Sequence, residues 1–196
     1  MMNKDRIKGG INLKKSWIVV LAVLLVLLLS GVSSYNKLVS MNEKVDSNWS
    51  QVENQLQRRA DLIPNLVSTV KGFAAQEKSI LNTIAESRSK LIGAQGVAEK
   101  AAANDQLNSA LSRLLVVVEN YPNLKSDANF RQLMDELAGS ENRLSVARKD
   151  YNDSVQVYNA KIKTFPNAIW AGMMGFEPRD YFKAAESANQ APEVKF

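Results

Sequence analysis

Between residues 35 and 77 the apolar positions fall on a 3-4 beat: Tyr35, Leu38, Val45, Trp49, Val52, Leu56, Ile63, Leu66, Val70 and Phe73. Only Asn42 and Arg59 interrupt the beat with polar groups. Such spacing averages about 3.5 residues and keeps one apolar seam on one helix face. Immediately ahead of it, Trp17 to Leu29 is uninterrupted apolar sequence, and Ser30 to Ser34 extends the run to Tyr35. The pattern predicts an all-α chain in which an N-terminal transmembrane helix is followed by an antiparallel four-helix bundle.

Pro64 sets the expected topology. Inside a helix a proline removes one backbone hydrogen bond and crowds the carbonyl four residues back, costing ~3 kcal/mol. A tight reversal at Arg59–Ile63, with Asp61 as N-cap and Pro64 in the first turn of a new helix, avoids that cost. The seam keeps its phase through Pro64, as one kinked helix would require; the reversal is the expected arrangement. The helices are then expected at about 36–59, 62–92, 105–120 and 127–165. Residues 93–104, with two glycines and weak periodicity, read as a loop or frayed helix start. YPNLKSD breaks the chain near Pro122, Ser126 or Asp127 caps the last helix, and Pro166 ends it. Around these lie a basic tail (1–16), the anchor (17–35), the bundle domain (36–182) and a C-terminal tail (183–196).

Several long strings carry a family likeness. VENQLQRRADLIPNLVSTVKGFA, LSRLLVVVENYPNLK, NFRQLMDEL, ENRLSVARKDYNDSVQVYN and KTFPNAIWAGMMGF resemble the LemA family in order and spacing, over about Tyr35 to Phe182. The resemblance implies a membrane-anchored helical bundle whose biochemical role is poorly defined within the family. Some relatives are linked to organelle-like membrane structures in bacteria. Relatives often carry His where this chain has Gln76, so no role needing that His carries over.

Composition narrows the chemistry. The chain has neither Cys nor His, which removes thiolate nucleophiles, disulfides and the commonest general base and metal ligand. Phosphate loops, GxSxG elbows and HExxH motifs are absent from the sequence. No catalytic residues, cofactor or metal site are expected. Of the net charge of +5, four units sit in residues 1–34, on Lys4, Arg6, Lys8, Lys14 and Lys15 against Asp5. The near-neutral remainder lacks the basic stripe that a phosphate backbone requires, so nucleic acid is not an expected partner. No small-molecule substrate is evident.

The anchor run could be read as a cleaved signal, since its densest part is shorter than the roughly 17–25 residues a span requires. Trp17 and Tyr35 at the two ends, where amphipathic rings favour the interface, argue for an uncleaved single-pass anchor. The basic tail then lies in the cytoplasm and the domain outside the inner membrane of a bacterial cell.

Two sets of candidate site residues follow. In the expected topology the first-to-second turn and the third-to-fourth loop meet at the end far from the membrane. That gathers Arg58, Arg59, Asp61, Asn65, Tyr121, Asn123 and Lys125 as a partner surface, unless Arg59 merely pairs with Asp61 or Glu119 and ties the loops. The second set is Trp170, Met173, Met174 and Phe176, in an apolar loop over 168–176 that either packs on the bundle base or contacts the bilayer. Tyr151, Asn152 and Asn159 read as core or as a buried polar network facing other helices. The expected function is a membrane-anchored scaffold or adaptor with an unidentified protein partner; the alternative is a membrane-remodelling or lipid-contacting structural protein.

Overall fold

A computed structural model describes residues 6–183, with side chains from Ser16 onward. The expected C-terminal tail from residue 184 on and residues 1–5 of the basic tail lie outside the described residues. The described residues form six helices: α1 (Arg6–Phe73), α2 (Lys78–Gly93), α3 (Gly96–Val118), α4 (Pro122–Ser126), α5 (Ala128–Lys163) and α6 (Asn167–Met174). From Ser16, α1 contains a stretch long and apolar enough to cross a membrane.

The expected reversal at Arg59–Ile63 does not occur. α1 continues unbroken through Pro64 to Phe73. What the proline takes away is replaced from outside the helix. Its missing N–H would have bonded the carbonyl of Ala60, and the Nε of Arg88 on α2 donates to that carbonyl at 2.7 Å. Pro64 itself faces solvent while Ile63 and Leu66 on either side are buried, so the ring meets no core. The reversal comes instead at Ala74–Glu77. There Ala74 N–H bonds Val70, Glu77 N–H bonds Ala74, and Gly72 in the last turn weakens the helix. The expected 62–92 helix is therefore two pieces, the end of α1 and α2.

A second difference lies at 93–104. Only Ala94 and Gln95 link α2 to α3, and Gly96 opens α3 at φ 69°, a backbone conformation that suits glycine. Glu99 accepts from the Gln95 N–H at 2.8 Å. GVAEKAAAN is helical because alanine is the best helix former. Its periodicity is weak because the residues it buries, Ala101 and Ala103, are small.

Two compact units divide the chain: residues 1–43 with 158–178, and 44–157 with 179–196. In the second unit neighbouring segments alternate in direction. Arg88 of α2 meets Ala60 of α1, and Lys90 of α2 meets Gln106 of α3 at 3.2 Å. α3 then runs with α1, as Lys100–Glu53 and Arg59–Asn104 show. α5 runs against α1, pairing Asp150 with Asn48 and Arg143 with Gln55. Asp127 caps α5 by accepting from the Phe130 N–H at 2.9 Å. The core is the expected seam: Val45, Val52, Leu56, Ile63, Leu66 and Val70 are buried with Leu107, Leu114, Leu144 and Tyr151. Tyr35 and Phe73, at the ends of the seam, are not buried.

Candidate functional site

The polar interruption of the seam at Arg59 marks the centre of the second unit. Only 3% of Arg59 is exposed, so it is not part of an accessible surface. Its carboxylate is Glu141 on α5, with Oε2 2.6 Å from Nη1, and not Asp61 or Glu119. Nη1 also donates to Asn104 at 2.5 Å and Nη2 to Asn108 at 2.6 Å. Arg148 donates to the other oxygen of Glu141 at 3.2 Å. Among the described residues, Arg59 Nε, Asn104 Nδ2 and Glu141 Oε2 have no hydrogen-bond partner, so the short Arg59–Glu141 approach is an electrostatic contact without an aligned hydrogen. Burial pulls the guanidinium below its ordinary value; Glu141 opposes that shift and Arg148 adds to it. A charge this deep persists because it is paired and hydrogen-bonded.

The other members of the expected partner surface are dispersed. Arg58 lies near Glu136 at 3.9 Å, both substantially exposed. Asp61 accepts from Gln57 one turn back at 2.8 Å, and Asn65 is exposed with its carbonyl held by Thr69. Tyr121 reaches the real reversal instead: it donates to Glu77 at 2.8 Å and accepts from Gln76 at 2.9 Å. That bond to Glu77 raises the Tyr121 phenol above its ordinary value. Lys125 pairs with Glu119 at 2.7 Å, and Asn123 is exposed. Arg59 and the end of α1 are separated by roughly 20 Å at ~1.5 Å per residue, so the two groups do not converge.

On their outer side α1 and α5 share two open surface clefts. One cleft, of about 440 Å³, lies between Asn48, Gln51 and Gln55 of α1 and Arg143, Val146, Ala147 and Asp150 of α5, and the other between Arg58 of α1 and Arg131, Glu136 and Arg143 of α5. Among the described residues no group of three or more acidic side chains converges to hold a metal ion.

Tyr151 and Asn152 of YNDSVQVYN hold the segment after Pro178 in addition to the neighbouring helix α1. Asn152 grips the extended segment after Pro178, accepting from the Phe182 N–H at 2.9 Å and donating to its carbonyl at 3.0 Å. Tyr151 donates to the Asp180 carbonyl at 2.7 Å, and Arg179 pairs with Asp46. The Phe182 ring is buried against Trp49 (centroids 6.4 Å) and under Arg148 (5.5 Å). Trp49 in turn packs on Tyr151 at 5.2 Å. The sequence reading missed Arg179 and Phe182, whose partners Asp46 and Trp49 lie more than 130 residues away, beyond the reach of any local pattern.

In the first unit, the expected apolar loop is the helix α6, closed by Gly175 at φ 75° with the Phe176 N–H bonded to Ala171. α6 lies on the final turn of the apolar run. A Cβ on Gly31 would stand 3.2 Å from the Trp170 ring, Ser34 donates to Asn167 at 3.0 Å, and Tyr35 meets Phe176 at 5.9 Å. Trp170 and Phe176 therefore face protein, whereas Met173 and Met174 are exposed.

The sequence model of the LemA family matches residues 48–196. The chain belongs to the LemA family. The magnetosome proteins MamQ 2 and MamQ 1 of Paramagnetospirillum magneticum are each 30% identical to it, with 76% of this chain and 64% of each relative covered. MamQ of Magnetospirillum gryphiswaldense matches with the same identity and coverage. Protein LemA of Metamycoplasma hominis is 24% identical over 68% of this chain and 62% of its own length. The chain thus spans a little under two thirds of the length of these relatives. Its described residues are helical without strands, and its long N-terminal helix contains a stretch apolar and long enough to cross a membrane.

Proposed function

We propose that this LemA-family chain is a membrane-anchored scaffold. α1 spans the inner membrane and supplies the first helix of an antiparallel four-helix bundle, completed by α2, α3 and α5. The alternating directions of those segments support the bundle. The lysine- and arginine-rich tail ahead of the span supports a cytoplasmic N-terminus and an external domain. The observation that carries the scaffold reading is the α1–α5 cleft around Val146. Its amide and charged side chains surround Val146 and Ala147, with Val146 exposed, the mixed apolar and polar character of a transient protein contact. The buried charges are internal to the bundle, which leaves the two clefts, Arg58 included, as the surface for a partner. Tyr121, which holds Gln76 and Glu77, makes a smaller second edge at the 74–77 turn.

The test uses the full chain in its native membrane with a photo-crosslinking residue at Val146, and separately at Asn82 on the exposed side of α2. A discrete heteromeric adduct from position 146 and none from 82 supports the scaffold. Equal smears from both positions, or no adduct from either, would sink it. The exposed apolar side of α6 favours the lipid-contacting alternative in the first unit.

A further inference from the structure

α6 is fixed by one face and unaccounted for on the other. Its inner face is Asn167, Trp170 and Ala171, held on Gly31 and Ser34 of α1, with Phe176 on Tyr35 just beyond its end. Its outer face carries Ile169, 54% exposed, and Met173, 74% exposed, and Phe165 in the preceding turn is 82% exposed. Ile169 and Met173 are four apart within α6 and share one face, and Phe165 extends the exposed apolar stretch into the turn just ahead of the helix. From Thr164 to Phe176 there is no charged residue, while Lys161 and Lys163 stand at one end and Glu177 at the other. Together these residues make an exposed apolar patch with no charge inside it, the kind of surface that marks a membrane or protein contact.

The occupant follows from what lies beside it. The α1 turn that holds α6 also exposes Leu28, Leu29 and Val32, the lipid-facing surface of the span. α6 therefore continues that surface sideways. Lys161 and Lys163 sit where long basic side chains reach headgroup phosphates while their stems stay apolar. We propose that α6 inserts into the headgroup–acyl boundary of one leaflet, with Phe165, Ile169 and Met173 in lipid, as a second membrane element clamped to the anchor. The chain then occupies one leaflet with two helices and the other with one. This asymmetric footprint favours curvature toward the leaflet that holds α6. The inference rests on α1 being a membrane span.

Because the chain has no cysteine, single labels report cleanly. The full chain is reconstituted in phosphatidylcholine–phosphatidylglycerol vesicles as three variants, Met173→Cys, Leu24→Cys and Val146→Cys, each carrying an environment-sensitive dye. Emission is read against lipids with brominated acyl chains and against aqueous iodide. The dye at 173 is expected to lose emission to brominated lipid as the dye at 24 does and to resist iodide, while the dye at 146 behaves in the opposite way. If the dye at 24 is not quenched by lipid, the span itself is wrong. If 24 is quenched but 173 answers to iodide, α6 lies in water and the wedge is overturned. If 173 resists both quenchers, another protein surface covers α6, which overturns the wedge equally. Phe165→Cys repeats the measurement from the other end of the apolar stretch, so that one misfolded variant does not decide the outcome.

Discussion

Pro64 and Arg88 form a coupled pair whose energetics can be worked out from the structure. A proline in a helix interior is ~3 kcal/mol worse than alanine, through the lost hydrogen bond and the ring's crowding of the preceding turn. Here the freed carbonyl belongs to Ala60, which is buried, and the Arg88 guanidinium supplies its hydrogen bond. A bond from a charged donor contributes about 1.5–3 kcal/mol, and a buried carbonyl left unpaired costs about 1–3. Arg88→Met should therefore destabilise the parent by about 2 kcal/mol. In a Pro64→Ala background the residue-64 N–H returns to the Ala60 carbonyl, and the same change should cost less than about 1 kcal/mol. Pro64→Ala alone should stabilise by about 1–2 kcal/mol, because the unfolded chain regains the freedom that proline restricts and returns ~0.4–1 of the helix gain.

The assay is thermal unfolding of the full chain in detergent, followed by circular dichroism, for the parent, both single variants and the double variant. For a chain of this size 1 kcal/mol moves the midpoint by roughly 2–4 °C. Arg88→Met should lower it by roughly 4–8 °C in the parent and by less than about 3 °C in the Pro64→Ala background. The interaction energy of the cycle should be about 1–2 kcal/mol. An additive cycle, with Arg88→Met costing the same in both backgrounds, refutes the replacement of the missing backbone bond by Arg88.

Arg59→Leu should destabilise by about 2–3 kcal/mol, below the ~3–5 of a fully buried broken pair, because Glu141 keeps Arg148 and is partly exposed. Asp61→Ala should stay within about 0.5; urea titration separates the two, and equal effects would contradict the placement of Arg59. Burial raises the Tyr151 phenol above its ordinary value, so the fold favours the neutral form. That contribution is complete below the unfolded-state value of about 10 and is lost as pH rises through the higher native value; melting from about pH 8 to 12 should fall more steeply for the parent than for Tyr151→Phe. Gly31→Leu should drive a side chain into the Trp170 ring at a cost of about 1–3 kcal/mol and open Lys163 to trypsin, whereas an unchanged digest would refute the docking of α6. Residues 36–196 alone should fold as a helical domain, checked by circular dichroism; a chain that only aggregates speaks against it.

What the sequence disclosed depended on how large the side chains were and how near their partners lay. The seam from Leu38 to Val70 was legible because its buried residues are large and evenly spaced. Its one charged member, Arg59, was correctly marked as unusual. The carboxylate was misplaced because Glu141 lies far along the chain on α5, and spacing carries no information at that range. The 96–104 helix was missed for the opposite reason: alanines at Ala101 and Ala103 pack tightly yet write almost no periodic signal. Candidate site residues divided in the same way. Met173 and Met174 are exposed while Trp170 and Phe176 pack on α1, a division between packing and exposure that the sequence left open, since a hydropathy run does not say which side of a short helix meets Gly31.

The position of the reversal shows why a correct local rule gave an incorrect boundary. Proline is costly in a helix because it strands a carbonyl, and that cost was assigned in full to a chain with no neighbour. Arg88 arrives from 28 residues downstream, after the chain has already turned at Ala74–Glu77, so the compensation is tertiary and invisible to any window around Pro64. Once Ala60 has a donor, the balance shifts. Keeping Ile63, Leu66 and Val70 in phase on α1 retains about 1.5–3 kcal/mol of burial for each, against a residual proline penalty of about 1–2. The helix therefore continues. The turn moves to the first place past the seam where the backbone is weakly helical and where a side chain from another loop, Tyr121, can hold both Gln76 and Glu77.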